Sequence, residues 1–373
     1  MAGSILIYKK QKESSMKLAF KKTIASILCI TMVPVMMTGC KKKTTSYSHT
    51  DFAMGTVTNI TLYGTSDNLE QTEQKIINME KKLEKQQLSW RLKSSQVSKI
   101  NQKLEKNNGQ AKVTGSLKGW LQQAIKISQN SYADGRNTVD PTIGALTKLW
   151  DFESSNPKVP DANKIKKVIS GDLSENSQHV TVKDNGEILS CDKDTKIDLG
   201  AYGKGIGTDE AIKLIKKDKE ITGAMVALGG SIAIYGEKSD GSDWNVGIQD
   251  PNGKDGEVLG GIKVKSGTSI STSGDYEKTF TDKKTGKRYF HILDSKTGYS
   301  VKTDIRSCTI ICNSGLNADG LSTACFSLGV KKSQKLLKEY NAKAVFVDKN
   351  NKVYVSDGVE FTLTAKDYKI VKF

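Results

Sequence analysis

Between Gly200 and Gly207 the chain carries glycine at four of eight positions (Gly200, Gly203, Gly205 and Gly207), and few backbones accommodate so dense a run. Glycine weakens the interior of both helices and strands, so the run marks a place where the chain turns tightly or approaches other groups closely. Thr195 to Leu199, just before it, is short and apolar and reads as a strand. Asp209 to Lys217, just after it, has helical spacing, which predicts a helix over 208–217. Strand, glycine loop and helix N-terminus bring free backbone N–H groups and the positive end of a helix dipole to one point. Lys204 adds a full positive charge there and Asp198 an acceptor. The stretch has no Gly-x-x-x-x-Gly-Lys-Ser/Thr, and the spacing of Gly203, Gly205 and Gly207 is not that of a dinucleotide fingerprint. Two readings stay open: an anion site of another kind, or a tight strand-to-helix turn whose glycines serve geometry alone.

The flanking sequence mixes strand and helix patterns without regular alternation, which argues an α+β fold. Val57 to Tyr63 alternates as a strand does, and helical spacing runs from Leu69 to Leu83 and from Leu117 to Ile127. Ser94 to Val97 marks a further helix start. Asp140 suits an N-cap and Pro141 a first helical position, so a helix is predicted to begin there. Residues 153–175 read as a surface insertion with one short helix. Short strands are predicted at 180–182, 186–190, 195–199, 223–228, 231–235, 244–248, 258–265, 304–312, 343–347 and 352–355, with helices at 317–328 and 331–340. Neither a repeat nor a Pro- or Ser-rich linker divides the chain, which points to one catalytic domain over 51–373 with mixed sheets and packed helices.

The N-terminus reads as an export signal over residues 1–39, with Met16 an alternative start. A basic segment, Met16 to Lys22, precedes an apolar run of 15 residues, Thr23 to Met37, too short for a spanning helix of about 20 residues. The run ends Met37-Thr38-Gly39-Cys40, which resembles a bacterial lipobox and marks Cys40 for lipidation. Residues 40–50 follow as the lipidated cysteine and a polar tether. The expected location is the extracytoplasmic face of a bacterial cell membrane, through that lipid anchor. Six lysines and one glutamate of residues 1–39 leave with the signal, lowering the formal charge from +16 to +11. Only four arginines occur (Arg91, Arg136, Arg288 and Arg306), and no basic run is interleaved with aromatics, so no nucleic-acid partner is expected. An anionic membrane or cell-wall surface suits the charge better. Cys191, Cys308, Cys312 and Cys325 form no Cys-x-x-Cys, which argues against zinc or thioredoxin-like chemistry.

Two further stretches carry chemistry. His291, in Tyr289 to Gly298, stands beside an Asp-, Lys-, Thr- and Gly-marked turn, and a histidine there can exchange a proton near neutral pH or serve structure alone. Asp319 and Thr323 are four residues apart at the start of an apolar helix, so both oxygens share one face. They suit either a hard cation such as Mg²⁺ or an N-terminal capping cluster.

Taken in order, these segments resemble the ApbE-type FAD:protein FMN transferases. The resemblance is carried by Met54-Gly55-Thr56, Val139 to Gly144, Leu149 to Phe152, Asp198 to Gly205, Leu228 to Ile232, Trp244 to Ile248, Thr272 to Tyr276, His291 to Asp294 and Ala318 to Thr323, and spans about residues 50–345. Ser295 stands where the family usually has proline, which would loosen that turn, and Tyr202 where it more often has an aliphatic residue. The resemblance implies transfer of FMN from FAD to a threonine hydroxyl of a target protein, with release of AMP. It implies FAD contacts from Met54, Trp90, Thr138, Val139, Asp140, Asp198, Lys204 and Leu293. It also implies a Mg²⁺ site from the backbone oxygen of Ala201 with Asp319 and Thr323. His291, the only histidine inside a motif, is read as the base that takes the threonine proton. The family's acceptor motif, Asp-x-x-Ser/Thr-Gly-Ala/Ser-Thr, is not found here, so the expected acceptor is another exported chain. Hydrolysis of FAD to FMN and AMP, or flavin carriage without turnover, are the competing functions.

Overall fold

The computed structural model describes residues 44–65, 68–171, 178–189, 193–254 and 256–373. The export signal, Cys40 and Cys191 lie outside the described residues. Nine strands form one sheet and stand in it in the order in which they occur along the chain. They are β1 (Thr45–Ala53), β2 (Thr56–Gly64), β3 (Ile221–Leu228), β4 (Ser231–Gly236), β5 (Ser269–Gly274), β6 (Ile305–Cys312), β7 (Lys343–Asp348), β8 (Lys352–Val355) and β9 (Lys369–Lys372). Every neighbouring pair is antiparallel except β8 and β9, which run parallel. Seven α-helices lie among the described residues: α1 (Leu69–Leu83), α2 (Gln96–Lys106), α3 (Ser116–Asn130), α4 (Gly144–Trp150), α5 (Ala162–Ser170), α6 (Gly203–Ile215) and α7 (Gly315–Glu339). The expected α+β architecture is the one found.

The sheet is covered on both faces, and β7 shows how. Its Ala344 and Phe346 join a core with Leu321, Phe326 and Cys325 of α7, while Val345 and Val347 pack with Trp244, Ile248 and Ile262. Those residues belong to a second, three-stranded sheet of Trp244–Gln249, Val258–Val264 and Glu360–Leu363. Burial on both faces explains why Ala344 to Val347 is an unbroken apolar run. At the other end of the large sheet, Ile60 and Leu62 of β2 meet Ile76 and Ile77 of α1 and Ala211 and Ile215 of α6. Cys308 is buried against the α7 side and Cys312, on the same side, is half-buried.

Several expectations are corrected. The polar segment read as a tether becomes the edge strand β1 from Thr45 onward; one face of an edge strand meets water, and polar residues suit it. Strand β5 is absent from the expected strands, because Ser-Ile-Ser-Thr-Ser-Gly carries a single apolar residue and no apolar alternation. Thr195 to Leu199 is no strand but an extended segment with one parallel bridge, Lys196 to Ile143. The helix expected from Pro141 begins at Gly144, because Asp140 Oδ1 accepts from the Thr142 N–H (2.8 Å) and hydroxyl (2.6 Å) and holds a turn instead. The helices expected at 317–328 and 331–340 are one element, α7, broken at Gly329 (φ 74°). Helix α6 begins at Gly203 rather than 208, inside the glycine run.

Candidate active site

A cavity of about 390 Å³ lies where the turns and excursions between successive strands converge. Met54, Trp90, Thr138, Val139, Asp140, Asp198, Ala201, Lys204, His291, Leu293, Asp319 and Thr323 all line it. Every candidate catalytic, FAD-contacting and metal-ligating residue is thus brought to one wall or another of a single space.

Its floor is built by the glycine run. A β-carbon on Gly205 would lie 2.0 Å from the Gly315 carbonyl oxygen, and one on Gly207 would lie 2.8 Å from Met54 Sδ. Gly205 and Gly207 therefore sit in a helix for the sake of close packing, which overrides their poor helix propensity, whereas a β-carbon on Gly203 would make only ordinary contacts at 3.9 Å. Met54 reaches Gly207 from a two-residue turn between β1 and β2 in which Met54 (φ 50°) and Gly55 (φ 74°) are both left-handed, the form that suits a tight hairpin. Tyr202, the departure at the start of α6, is buried and donates its hydroxyl to the Ala124 carbonyl (3.2 Å). Its ring lies where a β-carbon on Gly320 would come within 2.4 Å, so Gly320 makes room for it.

The early start of α6 sets the electrostatics. The Gly205 N–H, in the first turn, donates to Asp319 Oδ2 at 3.0 Å. Asp319 Oδ1 lies within hydrogen-bond distance of the Ser271 (3.0 Å) and Ser231 (3.2 Å) hydroxyls, and Lys204 Nζ lies 3.5 Å from it. Asp319, foremost, holds the Lys204 ammonium above its ordinary range, so it is fully charged at neutral pH. Thr323 Oγ1 is 3.2 Å from Ser273 Oγ. Asp319 is not a cap: Ser314 caps α7, and Asp209 of α6 accepts from the Gly315 (2.6 Å) and Leu316 (3.1 Å) N–H groups. Asp198 accepts from the Gly200 N–H at 2.8 Å, and burial pushes its carboxyl up.

His291 reaches the cavity from the hairpin Thr279–Thr281 and Arg288–Phe290. That hairpin is fixed by Trp150 of α4, whose Nε1 donates to the Gly298 carbonyl (2.8 Å) and whose ring packs on Tyr289 (5.2 Å between centroids). His291 Nδ1 lies 3.2 Å from the Glu277 carbonyl, which can only accept, so Nδ1 carries the proton and Nε2 is left with a lone pair. Burial, with Lys278 and Lys204 adding to it, lowers its pKa to about 3. The imidazole is therefore neutral across the physiological range. The turn after it is not loosened by Ser295: Asp294 accepts from the Lys296 (2.8 Å) and Thr297 (3.1 Å) N–H groups and pairs with Arg136 (3.1 Å).

Sequence reading missed the charged rim. Arg91 stacks on Trp90 (4.1 Å) and reaches Asp151 (3.4 Å) and Glu153 (3.5 Å), and Lys278 pairs with Glu153 at 2.7 Å. Arg91, Glu153, Glu277 and Lys278 all line the cavity. The one available signal was adjacency: Arg91 to Trp90, Glu153 to Phe152. As to metals, the described residues hold no cluster of three or more His, Cys, Asp or Glu able to bind one. Asp319, the Thr323 hydroxyl and the Ala201 carbonyl offer oxygen only, with a single carboxylate. That donor set fits Mg²⁺, which takes one or two carboxylates and completes its shell with phosphate and water.

The sequence profile of the ApbE family matches residues 54–346. The FAD:protein FMN transferase of Treponema pallidum is 31% identical over 271 residues, covering 69% of this chain and 73% of its own length. That of Haemophilus influenzae is 25% identical over 350 residues, covering 90% and 96%. Among solved structures, the ApbE protein of Thermotoga maritima superposes with a TM-score of 0.70 at 29% identity, over 86% of this chain and 97% of its own. The flavin transferase ApbE of Vibrio cholerae has the same fold, with a TM-score of 0.69 at 23% identity over 86% and 98%. With the profile covering most of the chain and its motif residues gathered in one cavity, this protein belongs to the ApbE family.

Proposed function

We propose that this chain transfers FMN from FAD to a threonine hydroxyl of an exported acceptor protein. The convergence of dispersed motif residues on one cavity lined by a charged lysine, a neutral histidine and the oxygen-bearing Asp319 and Thr323 is the observation that carries this reading. The threonine oxygen attacks the FMN phosphorus, the bond to the bridging oxygen of the phosphoanhydride breaks, and AMP leaves with the electron pair. The threonine proton passes to His291 Nε2, the nitrogen left free by the Glu277 carbonyl. Burial first, then the Lys278 and Lys204 charges, weaken His291 as a base, and the negative charge of the FAD pyrophosphate would oppose those two charges. Lys204 offsets charge on the pyrophosphate as the bond breaks. Asp319, Thr323 and the Ala201 carbonyl would hold Mg²⁺, which would supply further neutralisation of the phosphate oxygens. Met54, Trp90, Thr138 to Asp140, Asp198 and Leu293 bind and orient FAD.

Lipid anchoring at Cys40 rests on the Met37-Thr38-Gly39-Cys40 run. Because β1 begins at Thr45, the chain from Cys40 to the sheet spans at most about 18 Å, which keeps the domain close to the membrane surface. A Cys40→Ala protein is expected in the soluble fraction, and its retention in membranes defeats the anchor.

The function is tested by incubating the protein with FAD and Mg²⁺, with and without an exported protein bearing the acceptor motif, and measuring intact masses and AMP. FMN added to a threonine supports transfer. AMP released at the same rate with no modified acceptor makes the enzyme a hydrolase of FAD, and stoichiometric FAD without AMP makes it a flavin carrier.

A further inference from the structure

Ser231 lies within the family motif Leu228 to Ile232 and Ser271 directly precedes another, Thr272 to Tyr276; the proposed reaction leaves both serines without a part. Ser231 of β4 and Ser271 of β5 are cross-strand partners, and both are buried. Their hydroxyl oxygens lie 2.9 Å apart. Ser271 Oγ is 3.0 Å and Ser231 Oγ 3.2 Å from Asp319 Oδ1. The three oxygens thus make three contacts, yet two hydroxyls supply two protons and an ionised carboxylate supplies none. Two independent donors to Asp319 would leave the serine oxygens facing each other at 2.9 Å with no proton between them. The lengths favour the other arrangement, because the two shorter edges are Ser231 to Ser271 and Ser271 to Asp319.

We propose that Ser271 is the direct positioning donor to Asp319 and that Ser231 acts through Ser271, forming a one-way relay that orients the carboxylate toward the cation. The proposal rests on the metal role given to Asp319 above. With Gly205 N–H on Oδ2, the relay leaves neither carboxylate oxygen free to rotate away. Groups that orient a ligand carboxylate typically change metal affinity by about 10- to 100-fold when removed.

The test is Mn²⁺ binding to the full chain, followed by electron paramagnetic resonance, with a urea unfolding series in metal-free buffer run in parallel. Ser271→Ala is expected to weaken Mn²⁺ by about 10-fold or more, Ser231→Ala by less, and the double variant no more than Ser271→Ala alone. Ser271→Thr, which keeps a hydroxyl, is expected to restore most of the affinity. Equal losses from the two single variants, or losses that multiply in the double one, overturn the relay. Asp319→Ala separates the two readings. If Mn²⁺ binding survives that change, the metal role fails, and the relay is then judged by unfolding alone: non-additive midpoints for the two serine variants sustain it and additive ones refute it.

Discussion

Gly205 and Gly315 meet backbone to backbone: a β-carbon on Gly205 would lie 2.0 Å from the Gly315 carbonyl oxygen, and one on Gly315 2.3 Å from the Gly205 carbonyl oxygen. This crossing of α6 and α7 brings the Gly205 N–H onto Asp319. Gly205→Ala must therefore separate the two helices and break that hydrogen bond. It is expected to lower stability by about 3 kcal/mol, with loss of flavin transfer in the folded fraction. Gly119→Ala, inside α3 with nothing within 4 Å of the new carbon, is the control and is expected to stabilise by about 0.5–1 kcal/mol. Equal effects in denaturant titrations would show that the contact is not tight.

Asp319→Asn removes the charge; its one acceptor oxygen can keep the Gly205 N–H, and its NH2 then faces the Ser271 hydroxyl, which can accept. Transfer is expected to fall by a factor on the order of 10³, while the thermal transition moves little, because α7 is capped by Ser314 and Asp209. A parallel loss of activity and of the thermal transition would return Asp319 to a purely structural part.

His291 is lowered to about 3, from an ordinary value of 6.5. Between those values the unfolded chain binds a proton that the folded chain refuses, so stability falls as pH drops through 6.5 toward 3. His291→Gln is expected to flatten that acid limb in urea titrations at pH 4, 5 and 7. At pH 7.5 the same variant is expected to bind FAD normally and transfer flavin about 10²-fold or more slowly. Near-normal transfer would remove His291 as the base.

Glu80 is buried in α1 with no hydrogen-bond partner for either carboxylate oxygen. Burial first, then Asp51 and Glu73, raises it to about 8 from 4.5, with Lys81 opposing. Here the folded chain holds the proton more tightly, so stability is lost as pH rises from 4.5 to 8. Glu80→Gln is expected to be more stable than the parent on the order of 2 kcal/mol at pH 8.5, with little difference at pH 4. The opposite pH trend would mean that the carboxylate finds a partner in solution.

Elements that carry their own signal were legible in the sequence. Helix α1 runs Leu69–Leu83 as its apolar spacing requires, and β7 is apolar on both faces. Elements decided by a distant partner were not. Nothing local says that Gly203 to Gly207 is helical, because the reason is Gly315 and Met54. Asp140 looked like a helix cap and instead holds a turn with Thr142. The cavity residues were found through motif order, while the Arg91, Glu153 and Lys278 rim is made by ion pairs between segments far apart in sequence.

The strand order has a kinetic corollary. Since the large sheet is laid down in chain order, most of its pairs join strands near in sequence, and only β2 with β3 must close the excursion from 65 to 220. That excursion carries Trp90, Asp140, Asp198 and Lys204. A chain arrested before that excursion docks would look nearly native by its strand content and be blind to flavin. Quenching of FAD fluorescence therefore reports the docking of that excursion, which strand content alone does not.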